Sequence, residues 1–186
     1  WRVEDTPGNH YSDRTYKSSD ATWARPYINE ITQTPWYNDI DPSYVEVSFG
    51  NVCNFKCSYC NPGNWAGLGP KHDEQVDFEK IVSNMEKIIS HFESKGTKGY
   101  KFFFSGGEPT VWIHLIPLIN WLKTRIDDPH IAINTNLSRS TKWWQEHYLL
   151  FHDVVASFHI DFANQDRYLT NLEFLQNKVN YLCSRM

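Results

Sequence analysis

The chain has 186 residues, with 18 basic and 22 acidic side chains and a formal net charge of −4. A chain of this length can bury one sizeable hydrophobic core, and its near-neutral charge argues against nucleic-acid binding driven by bulk electrostatics. No apolar run reaches the length of a membrane span, and the first residues do not resemble a signal peptide. Three of the four cysteines are clustered, which is unlike a secreted disulfide framework and favours a cytoplasmic protein.

The first 40 residues are rich in polar and turn-forming residues and show no sustained strand period. A helix over residues 19–32 is disfavoured by Pro26, which would remove a backbone donor from its interior. We therefore predict a mostly irregular N-terminal extension over residues 1–40 and a core domain over residues 41–186.

Strand-like and helix-like segments alternate through the core domain, which predicts a parallel α/β sheet. Apolar runs predict four strands, at residues 44–49, 100–104, 131–133 and 154–158. Apolar residues at helical spacing predict a helix after each strand, over residues 78–92 (with Gly96 as its C-terminal cap), 115–126, 143–150 and 166–182. The expected architecture is four strand–helix units, with Cys183 in a helical pattern.

Candidate polar residues follow every predicted strand, and in such folds the ligand lies beyond the carboxyl ends of the strands. Cysteines follow the first strand, Gly106, Gly107 and Glu108 the second, and Asn134 and Asn136 the third. At the fourth strand, alternation points Ser157, His159 and Asp161 towards one face if the strand persists.

Three cysteines, Cys53, Cys57 and Cys60, lie within eight residues in the spacing C-x3-C-x2-C. Thiolates select zinc, copper(I) or iron–sulfur clusters, and structural zinc takes four ligands, so three local cysteines leave it one short. A cluster of four irons normally takes four cysteines. Three cysteines would leave one iron open to a small molecule. A zinc site completed by Cys183 or a histidine, and a chance cluster of cysteines, are the alternatives.

A second motif ends the second predicted strand, which runs into Ser105-Gly106-Gly107-Glu108-Pro109. Two glycines let the backbone come close to a ligand, and the Glu108 carboxylate can accept a hydrogen bond from a cationic amine. These are the requirements for holding the ammonium group of an amino-acid-like cofactor. The same stretch also makes an ordinary turn before a helix.

Both motifs resemble those of the radical S-adenosylmethionine (SAM) superfamily, in which an aromatic residue precedes the third cysteine and Gly-Gly-Glu-Pro follows the second strand. The resemblance implies a partial (β/α) barrel of six strands, of which about four strand–helix units are present, so we expect a fragment or a minimal form. It implies that Cys53, Cys57 and Cys60 hold a 4Fe-4S cluster whose open iron binds SAM. Gly106, Gly107 and Glu108 would position the methionine end of SAM, and Tyr59 would lie near the adenine.

Two further segments are similar to the superfamily's pattern but depart from it. Residues 134–137 lie where many relatives have Thr-Asn-Gly, with Leu137 in place of the glycine. Ser157 and Asp161 lie where relatives have a Ser-x-Asp-like segment, with a stretched spacing. The resemblance implies SAM contacts for Asn134, Asn136, Ser157 and Asp161, although the two asparagines could instead cap a turn. His159 is a candidate to hold substrate or donate a proton, or a structural histidine.

The resemblance implies an enzyme in which the reduced cluster cleaves SAM to a 5′-deoxyadenosyl radical that abstracts hydrogen from a substrate. Flavodoxin or ferredoxin is the expected electron donor. Similarity to Twitch and SPASM types favours a peptide or protein substrate. The near-neutral charge argues against a nucleic-acid partner, and the lack of a long apolar run predicts no membrane partner. An open sheet edge predicts a homodimer or a covering partner. Two other functions stay open, a zinc-binding structural or interaction module and an iron–sulfur electron carrier that does not cleave SAM.

Overall fold

The computed structural model of the chain describes residues 33, 35, 44–48, 53–57, 77–97 and 99–185. The predicted extension over residues 1–40 falls outside these residues, apart from Gln33 and Pro35. Within the described residues, the strands are β1 (Tyr44–Ser48), β2 (Lys101–Ser105), β3 (His130–Thr135), β4 (Asp153–Ser157) and β5 (Tyr181–Arg185). The helices are α1 (Phe78–Lys95), α2 (Leu115–Arg125), α3 (Thr141–His147) and α4 (Gln165–Leu175), with short 3-10 helices at Pro109–Val111 and Tyr148–Leu150.

The five strands form one parallel sheet in which each strand pairs with the next along the chain. Phe104 of β2, for example, lies opposite Val47 of β1 on one side and Ile133 of β3 on the other. A helix follows each of the first four strands, which confirms the predicted alternation and the α/β class. Because all strands run the same way, their carboxyl ends meet at one edge of the sheet.

The core lies between this sheet and the apolar faces of the helices. Ile81, Met85, Ile89 and Phe92 are buried on α1 at the predicted helical spacing. The helix begins after Asp77, whose side chain accepts from the Glu79 backbone N–H, and ends at Gly96 in the left-handed conformation with φ 73°. The predicted glycine cap is therefore confirmed.

The end of the fourth helix was predicted wrongly. α4 ends at Leu175 instead of residue 182, and Tyr181–Arg185 forms the additional strand β5 beside β4. Asn177 adopts φ 66°, a left-handed conformation that ends helices and that asparagine tolerates. Cys183 consequently lies on a strand, opposite Val155, and not in a helix. The four strand–helix units are followed by a fifth strand.

A charged cluster lies at the amino-terminal edge of the sheet, opposite the carboxyl ends. The Asp153 carboxylate accepts hydrogen bonds from Lys101 Nζ and, at 2.8 Å, from His130 Nε2. Burial raises the pKa of Asp153, but these two partners outweigh burial and hold the pKa below its usual 3.8. Asp153 therefore fastens the start of β4 to the starts of β2 and β3.

None of the helices in the described residues has the length and apolar character needed to cross a bilayer.

Candidate active site

A cavity of about 160 Å³ lies at the carboxyl edge of the sheet. Its walls come from four segments, each at or just after the end of one of the strands β1 to β4. They are the loop after β1 (Cys53, Phe55, Cys57), the turn after β2 (Gly106, Gly107, Glu108), the end of β3 with the next residue (Asn134, Thr135, Asn136), and the end of β4 with the turn beyond it (Ser157, His159). The sheet's topology thus brings residues up to about a hundred positions apart to one place, as the strand-end rule predicts.

Most of the predicted site residues line this cavity. Two of them, Tyr59 and Cys60, lie outside the described residues. Asp161 is exposed and is not among the residues that line the cavity. The reason is that β4 ends at Ser157, after which Phe162 N and Ala163 N both donate to His159 O in a turn, at 3.0 and 2.8 Å. The alternation that would have aligned Asp161 with Ser157 does not continue.

Glu108 is a deeply buried polar residue of the cavity wall, with 2% of its surface exposed. Its Oε1 accepts hydrogen bonds from Thr110 N (3.1 Å), Thr110 Oγ1 (2.6 Å) and Thr135 Oγ1 (2.8 Å). Its Oε2 accepts one from Asn136 N (2.6 Å). Burial raises the pKa of Glu108, and the four hydrogen bonds oppose that rise. Glu108 fastens the turn after β2 to the end of β3.

The Oε2 atom of Glu108 has lone-pair capacity for a further donor beyond Asn136 N. A ligand ammonium group in the cavity is a suitable donor, since Glu108 is one of the lining residues. Gly106 adopts φ 117°, a conformation that favours glycine, and so leaves backbone without a side chain at the cavity. The turn after β2 therefore offers both features that the sequence predicted for it.

A hydrogen-bonded chain joins this wall to the cysteine loop. Asn136 Nδ2 donates to Asn54 Oδ1 (2.9 Å), and Asn54 Nδ2 donates to Ser138 Oγ (2.8 Å). Ser138 N in turn donates to Asn136 Oδ1 (3.0 Å). Asn54 lies directly after Cys53, so the loop that carries the thiols is tied to the end of β3. Asn54 and Ser138 were not predicted, because no local pattern shows that residues 82 positions apart will meet.

Leu137 adopts a backbone conformation that glycine accepts more readily, at the position where the resemblance predicts glycine. Its φ is 53°, in the left-handed region that costs a side-chain-bearing residue about 1–2 kcal/mol. The side chain is 1% exposed within the core, and burial of a leucine contributes about 1.5–3 kcal/mol. Its N–H donates to Thr135 Oγ1 (3.1 Å), and its carbonyl accepts from Asn171 Nδ2 (3.0 Å). Burial and hydrogen bonding together hold the unusual conformation.

His159 lies against the cysteine loop. Its Nδ1 is 3.2 Å from Cys57 Sγ, and the edge of its ring meets Phe55 with centroids 5.7 Å apart and planes at 73°. Phe55 also stacks on Phe162, at 6.2 Å and 27°. Burial lowers the pKa of His159, which favours the neutral imidazole. Phe55 was not predicted as a site residue, although its position between Cys53 and Cys57 was a signal.

The two described cysteines of the motif suit a soft metal centre. Cys53 and Cys57 both line the cavity, and Cys57 is buried, with 4% of its surface exposed. The third predicted ligand, Cys60, follows within three positions but is outside the description. Within the described ranges no three His, Cys, Asp or Glu side chains are grouped as metal ligands. Sulfur donors on a cavity wall beside the Gly106–Glu108 turn fit an iron–sulfur cluster with a neighbouring organic ligand.

A family model described as the Radical SAM superfamily matches residues 47–181. The chain belongs to this superfamily. The match runs from the end of β1 to the first residue of β5 and confirms the resemblance predicted from the two motifs. The superfamily's cofactors are a 4Fe-4S cluster and SAM, and the thiols and the Gly106–Glu108 turn fit them.

Curated relatives match over part of their length. The GTP 3',8-cyclase of Actinobacillus pleuropneumoniae serotype 3 (strain JL03) is 28% identical over 106 residues, which are 55% of this chain and 29% of that protein. The molybdenum cofactor biosynthesis protein moc-5 of Caenorhabditis elegans is 28% identical over 117 residues, which are 59% of this chain and 18% of that protein. The chain thus spans less than a third of the length of these relatives.

A solved structure shares the fold. The crystal structure of BtrN in complex with AdoMet and 2-DOIA has a TM-score of 0.60 and 21% sequence identity, and it covers 78% of this chain and 58% of BtrN. The likeness confirms the predicted partial barrel, which here is an open parallel sheet of five strands in the described residues.

Proposed function

We propose that the protein is a radical SAM enzyme that binds its cluster through Cys53, Cys57 and Cys60 and binds SAM in the cavity beside them. The observation that carries the proposal is that two cysteine thiols and the Gly106–Glu108 turn line the same cavity at the carboxyl edge of the sheet. A thiolate loop or a glycine turn alone would fit several functions. Their meeting at one cavity fits a cluster whose ligand is an amino-acid-like cofactor.

Cys53, Cys57 and Cys60 would hold the cluster, which would supply the electron for cleavage of SAM to methionine and a 5′-deoxyadenosyl radical able to abstract hydrogen from a substrate. The protein's own residues position the partners. The Gly106 backbone and Glu108 Oε2 hold the methionine end, with Glu108 itself fixed by Thr110, Thr135 and Asn136. The hydrogen-bonded pair of Ser157 Oγ and Asn134 Oδ1 (3.2 Å) forms the wall between the ends of β3 and β4. We place the ribose and methionine contacts of SAM there.

The substrate is the open part of this proposal. One of the curated relatives named above is a GTP 3',8-cyclase by name, so GTP is the first substrate to test, beside the peptide or protein substrate that the resemblance to Twitch and SPASM types favours. Flavodoxin or ferredoxin is the electron donor we expect, and the reducing cytoplasm is the compartment that suits thiolate ligands. A homodimer or a partner at an edge of the sheet remains part of the proposal, because edge strands present unpaired backbone groups.

The test is anaerobic reconstitution with iron and sulfide, followed by metal analysis and incubation with SAM and dithionite. We expect a brown protein with iron and sulfide bound and with 5′-deoxyadenosine formed. Colourless protein carrying one equivalent of zinc would instead support the structural module. A cluster that is reduced and reoxidised without forming 5′-deoxyadenosine would support the electron carrier.

Two pairs of variants make this test specific. Cys57→Ala should abolish the cluster, whereas Cys183→Ala, on β5, should leave it intact. Glu108→Gln should keep the cluster but weaken SAM binding, whereas Glu173→Gln, on the exposed surface of α4, should change neither. Loss of the cluster in Cys183→Ala would point to a four-cysteine site and contradict the open iron.

A further inference from the structure

We propose that His159 is a positioning residue for the cluster, which donates a hydrogen bond from Nδ1 to the Sγ atom of Cys57 and thereby raises the cluster's reduction potential. The inference rests on the proposed function, since it assumes that Cys57 is a cluster ligand. It assigns His159 to the cluster, whereas the sequence suggested a role in holding substrate or donating a proton, or a structural role.

The first observation is the contact itself. Nδ1 of His159 and Sγ of Cys57 are 3.2 Å apart, within hydrogen-bonding range for a nitrogen and a sulfur atom. A cysteine that ligates iron is a thiolate and can only accept. The proton of this hydrogen bond must then be on Nδ1.

The second observation is that the imidazole is held in place from several sides. The backbone at His159 is fixed by the turn in which Phe162 N and Ala163 N donate to its carbonyl. The ring meets Phe55 edge-on, and Phe55 stacks on Phe162 from the same turn. Because Phe55 belongs to the cysteine loop, the aromatic contacts and the nitrogen–sulfur contact join the same two segments. The ring therefore approaches Cys57 in a defined orientation.

The hydrogen bond is expected to raise the reduction potential because of where the added electron's charge resides. One-electron reduction places more negative charge on the cluster and its sulfur ligands, and hydrogen bonds to a more negative acceptor are stronger. A donor to Cys57 Sγ therefore stabilises the reduced form more than the oxidised form, and hydrogen bonds to sulfur are among the factors that set cluster potentials. Removing the donor should make reduction harder.

The test is a potentiometric titration of the reconstituted protein without SAM or substrate, with the reduced cluster followed by electron paramagnetic resonance. His159→Phe keeps an aromatic ring against Phe55 but has no donor. We expect about a tenfold loss in the equilibrium constant for reduction, a midpoint about 59 mV more negative. His159→Asn, whose amide can place an N–H near the position of Nδ1, should restore most of the shift, and His91→Phe on the exposed face of α1 should cause none.

A second measurement does not depend on a variant that folds. In wild-type protein labelled with ¹⁵N-histidine, pulsed electron paramagnetic resonance should detect a nitrogen coupled to the reduced cluster through the hydrogen bond. An unchanged midpoint in His159→Phe, or absence of that coupling in the wild type, would overturn the inference while leaving the proposed function standing. If the wild type binds no iron–sulfur cluster, both the proposed function and this inference are overturned. A residue that only holds substrate would give neither the shift nor the coupling.

Discussion

Replacing Glu108 by glutamine changes one oxygen to an amide nitrogen in a site surrounded by donors. Oε1 accepts three hydrogen bonds and Oε2 accepts one, from Asn136 N at 2.6 Å. In the most favourable orientation, the glutamine oxygen takes the position with three donors. Its NH₂ group then faces the Asn136 N–H, so two donors meet and a buried backbone N–H loses its acceptor. An unsatisfied buried donor costs about 1–3 kcal/mol, which is the loss in unfolding free energy that we expect for Glu108→Gln.

The pH dependence of the stability difference between wild type and Glu108→Gln provides a second, independent test. Burial raises the pKa of Glu108 above its usual 4.5, so the folded protein holds this proton more tightly than the unfolded chain. The resulting stabilisation is complete below pH 4.5 and is lost as pH rises through the folded-state pKa. Glutamine does not titrate. The stability advantage of wild type over Glu108→Gln should therefore shrink as pH rises across this window.

Urea unfolding followed by circular dichroism, at several pH values, measures both effects. Glu173→Gln serves as the matched control, since an exposed surface substitution should change stability by less than about 0.5 kcal/mol. If Glu108→Gln is as stable as this control, the four-donor description of Glu108 is wrong. If the advantage of wild type grows with pH, the direction assigned to the Glu108 pKa is wrong.

Three further predictions concern other parts of the wall and the opposite edge of the sheet. Leu137→Ala should destabilise the fold by about 2–5 kcal/mol. Leu137→Gly should be less destabilising by about 1 kcal/mol, because glycine relieves the strain of the left-handed conformation. Thermal unfolding compares the two variants, and an alanine variant more stable than the glycine variant would refute the strain. Asn54→Ala should leave the chain folded by circular dichroism but lower the iron bound on reconstitution, because the cysteine loop loses its tie to Asn136; full iron content would contradict this role. The lowered pKa of Asp153 contributes stability that is present above pH 3.8 and is lost as pH falls through its folded-state pKa. Asp153→Asn should therefore reduce the loss of unfolding free energy on acidification. An unchanged acid dependence of the unfolding free energy would refute the lowered pKa.

The parts of the site that the sequence predicted are those encoded locally. The cysteine spacing and the Gly-Gly-Glu-Pro turn are short motifs, and the strand-end rule places such motifs together in any parallel sheet. Gly106 and Glu108 line the same cavity as Cys53 and Cys57 for this reason. No detail of side-chain packing was needed to predict that meeting.

The parts that the sequence did not predict depend on contacts between distant segments. Nothing near Glu108 shows that Thr135, at the end of β3, and Asn136, which follows it, would supply two of its four hydrogen bonds. The contact between His159 and Cys57 joins residues 102 positions apart and depends on the turn that follows β4. Such partners are set by the three-dimensional path of the loops, which hydrophobic periodicity does not encode.

The error at the end of α4 has a different physical origin. Val179 and Leu182 continue the apolar helical spacing of the helix, and both pack against the core, but from the turn and from β5. Short apolar runs satisfy the helix and strand periods equally well. The left-handed Asn177 separates the two elements, and asparagine by itself is a weak signal for such a turn.

The most direct test of the central claim is the yield of 5′-deoxyadenosine and methionine from SAM by the reconstituted, reduced protein, measured anaerobically by mass spectrometry. We predict that both products form in equal amounts in the wild type, that neither forms in Cys57→Ala, and that Cys183→Ala behaves as the wild type. A wild-type protein that contains a reduced 4Fe-4S cluster and yields neither product would contradict the account.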